Sequence, residues 1–140
     1  MNICFVIDNI FPSHGGVGKT TEQFIKLLSQ KGHKITTISS IDSVNKKQFE
    51  EIKETKIYRL KGMKVPFTKG TYYQAIPSKS KVVKILKEEK IDIVVLVSYT
   101  VLGVKIEKIC SKLNIPLALW VHFQPENITK QIHMDVEFIR

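Results

Sequence analysis

Apolar residues fall along the chain in two alternating patterns, one typical of buried strands and the other of amphipathic helices. The run Ile3–Ile7 is apolar with no polar alternation, which predicts a strand covered on both faces, as in a parallel sheet. Three glycines follow in a short turn: Gly15, Gly16 and Gly18. They allow the backbone to turn tightly, and Thr20 or Thr21 is expected to cap a helix that begins behind them. The first-turn amides of that helix would form a binding site for a phosphate or another anion.

The same two patterns continue to the end of the chain. Further strands are predicted at His33–Ser39, Lys56–Leu60, Ile91–Val97 and Leu117–Val121. Helices are predicted after the glycines, with an apolar stripe of Phe24, Leu27 and Leu28, and at Lys79–Lys90 and Val101–Leu113. A weak helix is expected around Lys46–Lys53, and a long loop with a short helix in Lys61–Lys81. The alternation predicts the α/β class: a Rossmann-like parallel sheet with helices on both faces, formed by residues 1–140 as a single domain.

The topology also predicts where a ligand would bind. In an open α/β sheet, ligands bind at the carboxyl ends of the strands, near the point where the strand order reverses. Three loops leave such ends here: Asn9–Lys19, Ser98–Gly103 and His122–Asn127. We therefore expect these segments to line one crevice, although they are far apart in sequence.

The charge balance narrows the classes of partner. The formal net charge is +9, from 22 lysines and arginines against 13 aspartates and glutamates. This excess favours anionic partners such as phosphorylated ligands, nucleic acid or an anionic membrane surface, although a solvated lysine-rich surface is the plainer explanation. No nucleic-acid partner is expected, because no helix-turn-helix, zinc-ligand or aromatic RNA-binding motif accompanies the charge. Lysines interleaved with Phe67, Tyr72 and Tyr73 would suit contact with anionic lipid head groups.

The cellular location is inferred from hydropathy and cysteine usage. No apolar run is long enough to cross a bilayer, and Met1 leads directly into a core strand. Cys4 falls on a predicted strand and Cys110 on a predicted helix, and no pattern suggests a disulfide framework. A cytoplasmic location is therefore expected, and contact with lipid would make it peripheral at the inner face of the membrane.

Two interpretations compete for the glycine turn. In the first, the string GGVGKTT resembles the phosphate loop of deviant Walker ATPases, in which Lys19 would reach the terminal phosphates and Thr20 would hold magnesium. The motif is incomplete, because Ser13 and His14 stand where its standard and deviant forms have glycine and lysine. No later strand ends in the aspartate that anchors magnesium in such proteins. A tight turn without a ligand is a further alternative.

The second resemblance covers nearly the whole chain. The segment FPSHGGVGKTTEQFIKLLSQKGHKITTIS is similar to the opening of GT-B glycosyltransferases of family 4. Its matching positions are Pro12, Gly15, Gly16, Val17, Leu27, Leu28, Gly32 and His33. The segment IDIVVLVSYTVLGVKIEKICSKLNIPLALWVHFQPENI is similar to a later part of those proteins, at Asp92, Ile93, Val94, Gly103, Ile115, Pro116 and His122. Its HFQPEN portion also resembles members that glycosylate lipid or cell-envelope acceptors.

The resemblance implies a hexosyltransferase-like enzyme that moves a sugar from a nucleotide-sugar to a cell-envelope polysaccharide or lipid acceptor, with retention at the anomeric carbon. In such enzymes the N-terminal domain binds the acceptor and a C-terminal domain holds most of the donor. This chain is therefore expected to be an N-terminal part, nearly inactive without a C-terminal donor domain or a separate partner chain. No cofactor and no metal ion are expected. A basic binding module without catalysis is the remaining alternative.

The resemblance also implies roles for particular positions. Contacts with the donor diphosphate are expected at Gly15, Gly16 and Val17, and Lys19 is added to them on the basis of its charge. His122 is expected to be catalytic beside the reacting sugar, and the alternative is a strand-end histidine bonded to backbone. Acceptor contacts are expected at Asn9, Tyr99, Gln124 and Asn127. The family often has a histidine where this chain reads Ser98-Tyr99-Thr100, so any role of that histidine is lost here.

Overall fold

The structure is a computed structural model that describes residues 1–11, 15–70 and 72–122. Its strands are β1 (Asn2–Val6), β2 (Lys34–Ser40), β3 (Phe49–Glu51), β4 (Lys56–Leu60), β5 (Gly62–Lys64), β6 (Tyr73–Ala75), β7 (Ile93–Leu96) and β8 (Leu117–Leu119). Its helices are α1 (Gly16–Gln30), α2 (Lys79–Glu88) and α3 (Val101–Leu113). None of the helices in these described residues is long and apolar enough to span a bilayer.

The main sheet has six strands in the order β3-β4-β2-β1-β7-β8. Every pair in it is parallel except β3 with β4. The last residue of β1, Val6, is in register with Ile38 on one side and Leu96 on the other, so the neighbouring strands end at the same edge. This arrangement confirms the predicted α/β Rossmann-like class, with the first strand at the centre.

The core lies on both faces of β1, because successive side chains of a strand point to opposite sides. Ile3 and Phe5 belong to one apolar cluster with Ile25 of α1. Cys4 and Val6 belong to the other cluster, which includes Leu86 of α2 and Ile106 of α3. The unbroken apolar run at the start of the chain is thus explained by helices that cover both faces, as predicted.

Helix α1 begins earlier than expected. Its N-cap is Gly15, and the glycines at 16 and 18 lie inside the first turn, so the prediction of a Thr20 or Thr21 cap is wrong. Both threonine hydroxyls instead donate back to helix carbonyls, Thr20 to Gly16 and Thr21 to Val17, each at 2.8 Å. A hydroxyl that is bonded back to the preceding turn is not available to cap the helix end.

The buried face of α1 also differs from the predicted apolar stripe. The buried residues are Gly18, Thr21 and Ile25, whereas Phe24 and Leu27 are exposed to 43% and 54%. The small side chains at 18 and 21 allow the helix backbone to lie close to the sheet, which turns the larger residues toward the rim. Phe24 therefore makes an edge contact with Phe5 at 6.3 Å between ring centroids and is not buried.

The irregular middle of the chain forms strands where helices were expected. The predicted helix at Lys46–Lys53 is wrong, because β3 pairs antiparallel with β4 and Phe49 packs against Tyr58 at 5.0 Å. The predicted long loop with a short helix at Lys61–Lys81 is replaced by the β5–β6 hairpin and the start of α2. A Cβ at Gly62 would lie 1.8 Å from the carbonyl oxygen of Ile41, so only glycine permits this close approach of two backbones.

Candidate functional site

A cavity of about 770 Å³ lies at the carboxyl ends of β1, β7 and β8. Each of the three loops that were expected to meet here contributes to its wall. The lining includes the residues that follow β1 together with the glycine turn, and it includes Ser98–Thr100 after β7. His122, in the segment after β8, also lines the cavity. The structure therefore brings Gly16 and His122 to one cavity, although they are far apart in sequence.

The glycine turn presents backbone to this cavity. Gly15, Gly16, Val17 and Gly18 all line it, and the first turn of α1 contains no acidic residue. A Cβ at Gly15 or Gly16 would meet no described atom within 4 Å, so these glycines leave the approach to the amides open. Free first-turn amides and the helix dipole together favour a bound anion.

Lys19 does not line the cavity with the glycines. Its backbone amide donates to the carbonyl oxygen of Gly15 at 3.0 Å, its side chain is exposed, and it is not among the described residues that line the cavity. Its charge therefore acts on the turn only through solvent, where such interactions are weak and screened.

Aromatic rings support the far end of the cavity. The ring of His122 packs on that of Trp120 at 4.5 Å between centroids, and Trp120 packs on Phe24 of α1 at 5.1 Å. The amide of Trp120 donates to the carbonyl of Leu96 at 2.8 Å, which extends the β7–β8 pairing by one residue. Sequence reasoning did not identify Trp120 as a site residue; the only signal was a lone tryptophan at a strand end.

Two buried polar atoms of the cavity wall have no partner. Within the described residues, Asn9 Oδ1 and His122 Nε2 are buried without a hydrogen bond, and both residues line the cavity. The amide of Asn9 makes only a long bond, 3.5 Å, to the carbonyl of Tyr73. Leaving such an atom unpaired costs about 1–3 kcal/mol. A ligand rich in hydroxyl groups would satisfy these atoms.

The floor of the cavity holds a buried carboxylate that sequence reasoning missed. Asp8 follows β1 and is only 2% exposed. Its oxygens accept hydrogen bonds from the Tyr72 hydroxyl at 2.9 Å and the Ala75 amide at 3.1 Å. Burial raises the pKa of the Asp8 carboxyl, and these hydrogen bonds oppose the rise. Asp8 therefore joins the end of β1 to the β5–β6 hairpin, whose Tyr72 also lines the cavity.

Of the remaining predicted acceptor residues, the structure describes only Tyr99. Tyr99 lines the rim and is 57% exposed, and its hydroxyl donates to Glu107 at 2.6 Å. That hydrogen bond raises the pKa of the Tyr99 phenol. Gln124 and Asn127 lie outside the described residues.

Comparisons with known proteins bear on the two interpretations of the glycine turn. The family model described as Glycosyltransferase Family 4 matches residues 14–137. The chain belongs to glycosyltransferase family 4. A sequence search against curated proteins gave no match. Family membership thus favours the glycosyltransferase interpretation over the ATPase one.

Two solved structures are similar to this family 4 chain in fold. One is a sucrose-phosphate synthase from Thermosynechococcus elongatus, with a TM-score of 0.63 and 15% identity over 96% of this chain. The other is a UGT transferase from Siraitia grosvenorii in complex with UDP, with a TM-score of 0.52 and 14% identity over 86% of this chain. The chain spans 37% and 27% of the lengths of these proteins. The likeness supports the Rossmann-like fold of GT-B glycosyltransferases; the roles of individual residues stay predictions.

Proposed function

We propose that this chain is the acceptor-side half of a nucleotide-sugar-dependent family 4 glycosyltransferase. The observation that carries the proposal is that the first turn of α1 and His122 line one cavity. Anion-binding amides thereby face the same space as the hydrogen-bonding groups that a sugar would require. A C-terminal domain, or a separate partner chain, would supply the rest of the donor site.

In this proposal the glycine turn acts on the leaving group. When the sugar is transferred, negative charge builds on the diphosphate that departs. The amides at Gly15, Gly16 and Val17 would stabilise that charge, because fixed backbone dipoles need no reorganisation during the reaction. Lys19 is assigned only a supporting part through the general positive field of the surface.

The acceptor would occupy the rest of the cavity. His122 Nε2, which has no partner among the described residues, would hold a sugar hydroxyl close to the reacting carbon, and Asn9 and Tyr99 would bind further hydroxyls. Gln124 and Asn127 are proposed to extend this set. We further propose retention at the anomeric carbon, a cell-envelope polysaccharide or lipid acceptor, and catalysis without a metal ion.

Ligand-observed NMR tests the site directly. We expect saturation transfer to the sugar protons of uridine- and guanosine-diphosphate hexoses, and loss of it in Gly16→Val and His122→Ala. A Cβ at Gly16 would meet no described atom within 4 Å, so the substitution starts from open space beside the amides that it is meant to cover. Gln23→Val is the control, since it puts the same side chain on an exposed position of α1. If Mg-ATP binds and is hydrolysed instead, and Lys19→Ala stops hydrolysis, the ATPase interpretation is correct and this proposal is wrong.

A membrane surface is a second proposed partner, supported by the β5–β6 hairpin. Phe67 at its tip is fully exposed, Met63 is 54% exposed, and the exposed lysines 61, 64 and 69 lie on the same hairpin. Apolar side chains flanked by lysines suit an anionic bilayer interface. Because Tyr72 of the same hairpin bonds Asp8, docking there would bring the cavity close to a lipid acceptor.

Vesicle co-sedimentation tests the membrane proposal. Vesicles with an anionic phospholipid are expected to bind the protein at low salt, and Phe67→Ser is expected to weaken binding several-fold through lost apolar burial. Leu27→Ser is the control, because Leu27 is also an exposed apolar residue, at 54%, but lies on α1. Equal losses in both variants, or no binding by the wild type, would refute a role for the hairpin.

A further inference from the structure

The cavity differs in charge from the rest of the protein. The chain carries a net charge of +9, yet no lysine or arginine occurs among the described residues that line the cavity. The polar side chains that line it are one carboxylate and six other groups: Asp8, Asn9, Tyr72, Ser98, Tyr99, Thr100 and His122. The amides of the glycine turn favour an anion at one part of the lining. Away from that turn, the described lining offers an anion no lysine or arginine.

The unpaired atoms of the wall are matched to hydroxyl groups. Asn9 Oδ1 accepts a hydrogen bond, and His122 Nε2 accepts or donates one according to the tautomer of the ring. A sugar hydroxyl offers one donor and two acceptor sites, so it can satisfy either atom. A phosphate or carboxylate on the ring adds mainly acceptor oxygens, which cannot pair with Asn9 Oδ1, so a ring hydroxyl must make that contact in charged and neutral sugars alike.

The floor gives an anion no compensation for lost water. Asp8 supplies no positive charge in either ionisation state, and its oxygens already accept bonds from Tyr72 and Ala75. A buried anion without a partner costs several kcal/mol. His122, which packs against Trp120, is the one basic side chain among the described lining residues.

The lining also contains apolar side chains that could contact the C–H face of a ring. These are Leu119, Trp120 and Val121, and the indole packs against Phe24. A few placed polar groups opposite an apolar wall are typical of sites for small ligands. We propose, on the basis of the function proposed above, that the acceptor presents an uncharged polyhydroxy ring to this cavity. Rings that carry phosphate or carboxylate are selected against.

Trp120 makes the test possible without a label. It is the only tryptophan of the chain and it lines the cavity, so its fluorescence reports on occupancy. The protein is titrated with matched sugars: glucose against glucuronate and glucose 6-phosphate, and galactose against galacturonate. Uridine-diphosphate glucose is titrated separately, because its affinity reports on the donor side of the site.

We expect a neutral hexose to bind at least about tenfold more tightly than its charged counterpart, a difference worth about 1.4 kcal/mol. If charged sugars bind as tightly as neutral ones, or no sugar binds, the inference on the acceptor is wrong. Binding of uridine-diphosphate glucose would then still support the proposed function. If that nucleotide-sugar also fails to bind, the proposed function is contradicted as well.

Variants separate recognition from folding. Thr100→Val keeps the shape of the side chain but removes a hydroxyl that lines the cavity, and it should weaken the binding of neutral hexoses several-fold. Val121→Lys adds a cation at a lining position that is 64% exposed. It should increase the affinity for charged sugars relative to that for neutral ones. Ser111→Ala on the exposed side of α3 is the control and should change neither. Unchanged selectivity in Val121→Lys would count against the inference.

Discussion

The imidazole of His122 rests on the indole of Trp120, with 4.5 Å between ring centroids and 44° between ring planes. The contact links the far end of the cavity to α1, since Trp120 also packs on Phe24. A histidine held by a ring that a helix supports has fewer orientations available than one at a free strand end. The position of His122 thus depends on packing between β8 and α1.

Trp120→Ala is expected to reduce both stability and ligand binding. Large-to-small changes of fully buried aromatic residues lower the free energy of unfolding by about 3–5 kcal/mol. Because Trp120 is only half-buried, we expect a decrease in the lower part of that range or below, measured by urea unfolding. Leu119→Ala, at a 49% exposed neighbour in β8, should cost clearly less. A ligand affinity that does not change in Trp120→Ala would show that His122 needs no support from the indole.

Asp8→Asn is expected to loosen the β5–β6 hairpin. The new amide has one accepting oxygen, for the Ala75 amide, and its NH₂ group can only donate to the Tyr72 hydroxyl, so both bonds to a carboxylate are replaced by weaker bonds between neutral groups. We expect a loss of about 1–3 kcal/mol and faster hydrogen exchange at the Ala75 amide. Asp92→Asn is the control, because Asp92 also accepts from a backbone amide, that of Asn2 at 2.7 Å, but is exposed. Equal effects of the two substitutions would mean that burial of Asp8 is unimportant.

Arg59→Met is expected to loosen the backbone at Phe11, before the glycine turn. Arg59 is buried on β4, where it pairs with Glu50 at 3.0 Å and donates to the Phe11 carbonyl at 3.0 Å. The Phe11 amide is held in turn by Glu22 at 3.1 Å. Methionine keeps the apolar stem but leaves that carbonyl unpaired, at a cost of about 1–3 kcal/mol.

The matched control for Arg59 is Lys84→Met, which breaks the exposed pair of Lys84 with Glu88 at 3.8 Å on α2. Such surface pairs contribute about 0–1 kcal/mol. Hydrogen exchange at Phe11 should rise in Arg59→Met and stay unchanged in Lys84→Met. No change in either variant would show that Glu22 alone holds the segment.

Glu89 should make stability depend on acid pH. Desolvation raises the pKa of its carboxyl, but hydrogen bonds from Tyr58 and Lys56 and the charge of Lys56 outweigh it, so the pKa is lowered overall. A lowered pKa in the folded state stabilises the protein above the unfolded pKa. This contribution is lost as the pH falls through the folded pKa.

Urea unfolding of the wild type and Glu89→Gln between about pH 3 and pH 7 checks this expectation. The difference in free energy of unfolding should shrink as the pH falls. Glu88→Gln is the control, since Glu88 pairs only with an exposed lysine at 3.8 Å. A difference that does not vary with pH would mean that the Tyr58 and Lys56 contacts do not depend on the carboxylate charge.

Much of the fold was predictable because the signals are local. The bounds of β4 and α3 agree with the predicted ones, since alternation and helical spacing are properties of neighbouring residues. Gly32 ends α1 with φ of +87°, as predicted for a glycine behind a helix. The general place of the cavity also followed from sequence, because parallel strands end at a common edge.

Other features depended on partners that no local pattern contains. Strand β3 forms because it can pair with the edge of β4. The sequence of the same residues, read without that partner, gave only a weak helical signal. Tyr72 and Asp8 are 64 residues apart, and Arg59 and Phe11 are 48 apart. The sequence by itself thus determined the α/β class, the glycine turn and the edge at which a ligand would bind. Only the tertiary structure decided which groups line the cavity and that no described lysine reaches it, because burial and hydrogen bonding are set by distant parts of the chain once they pack together.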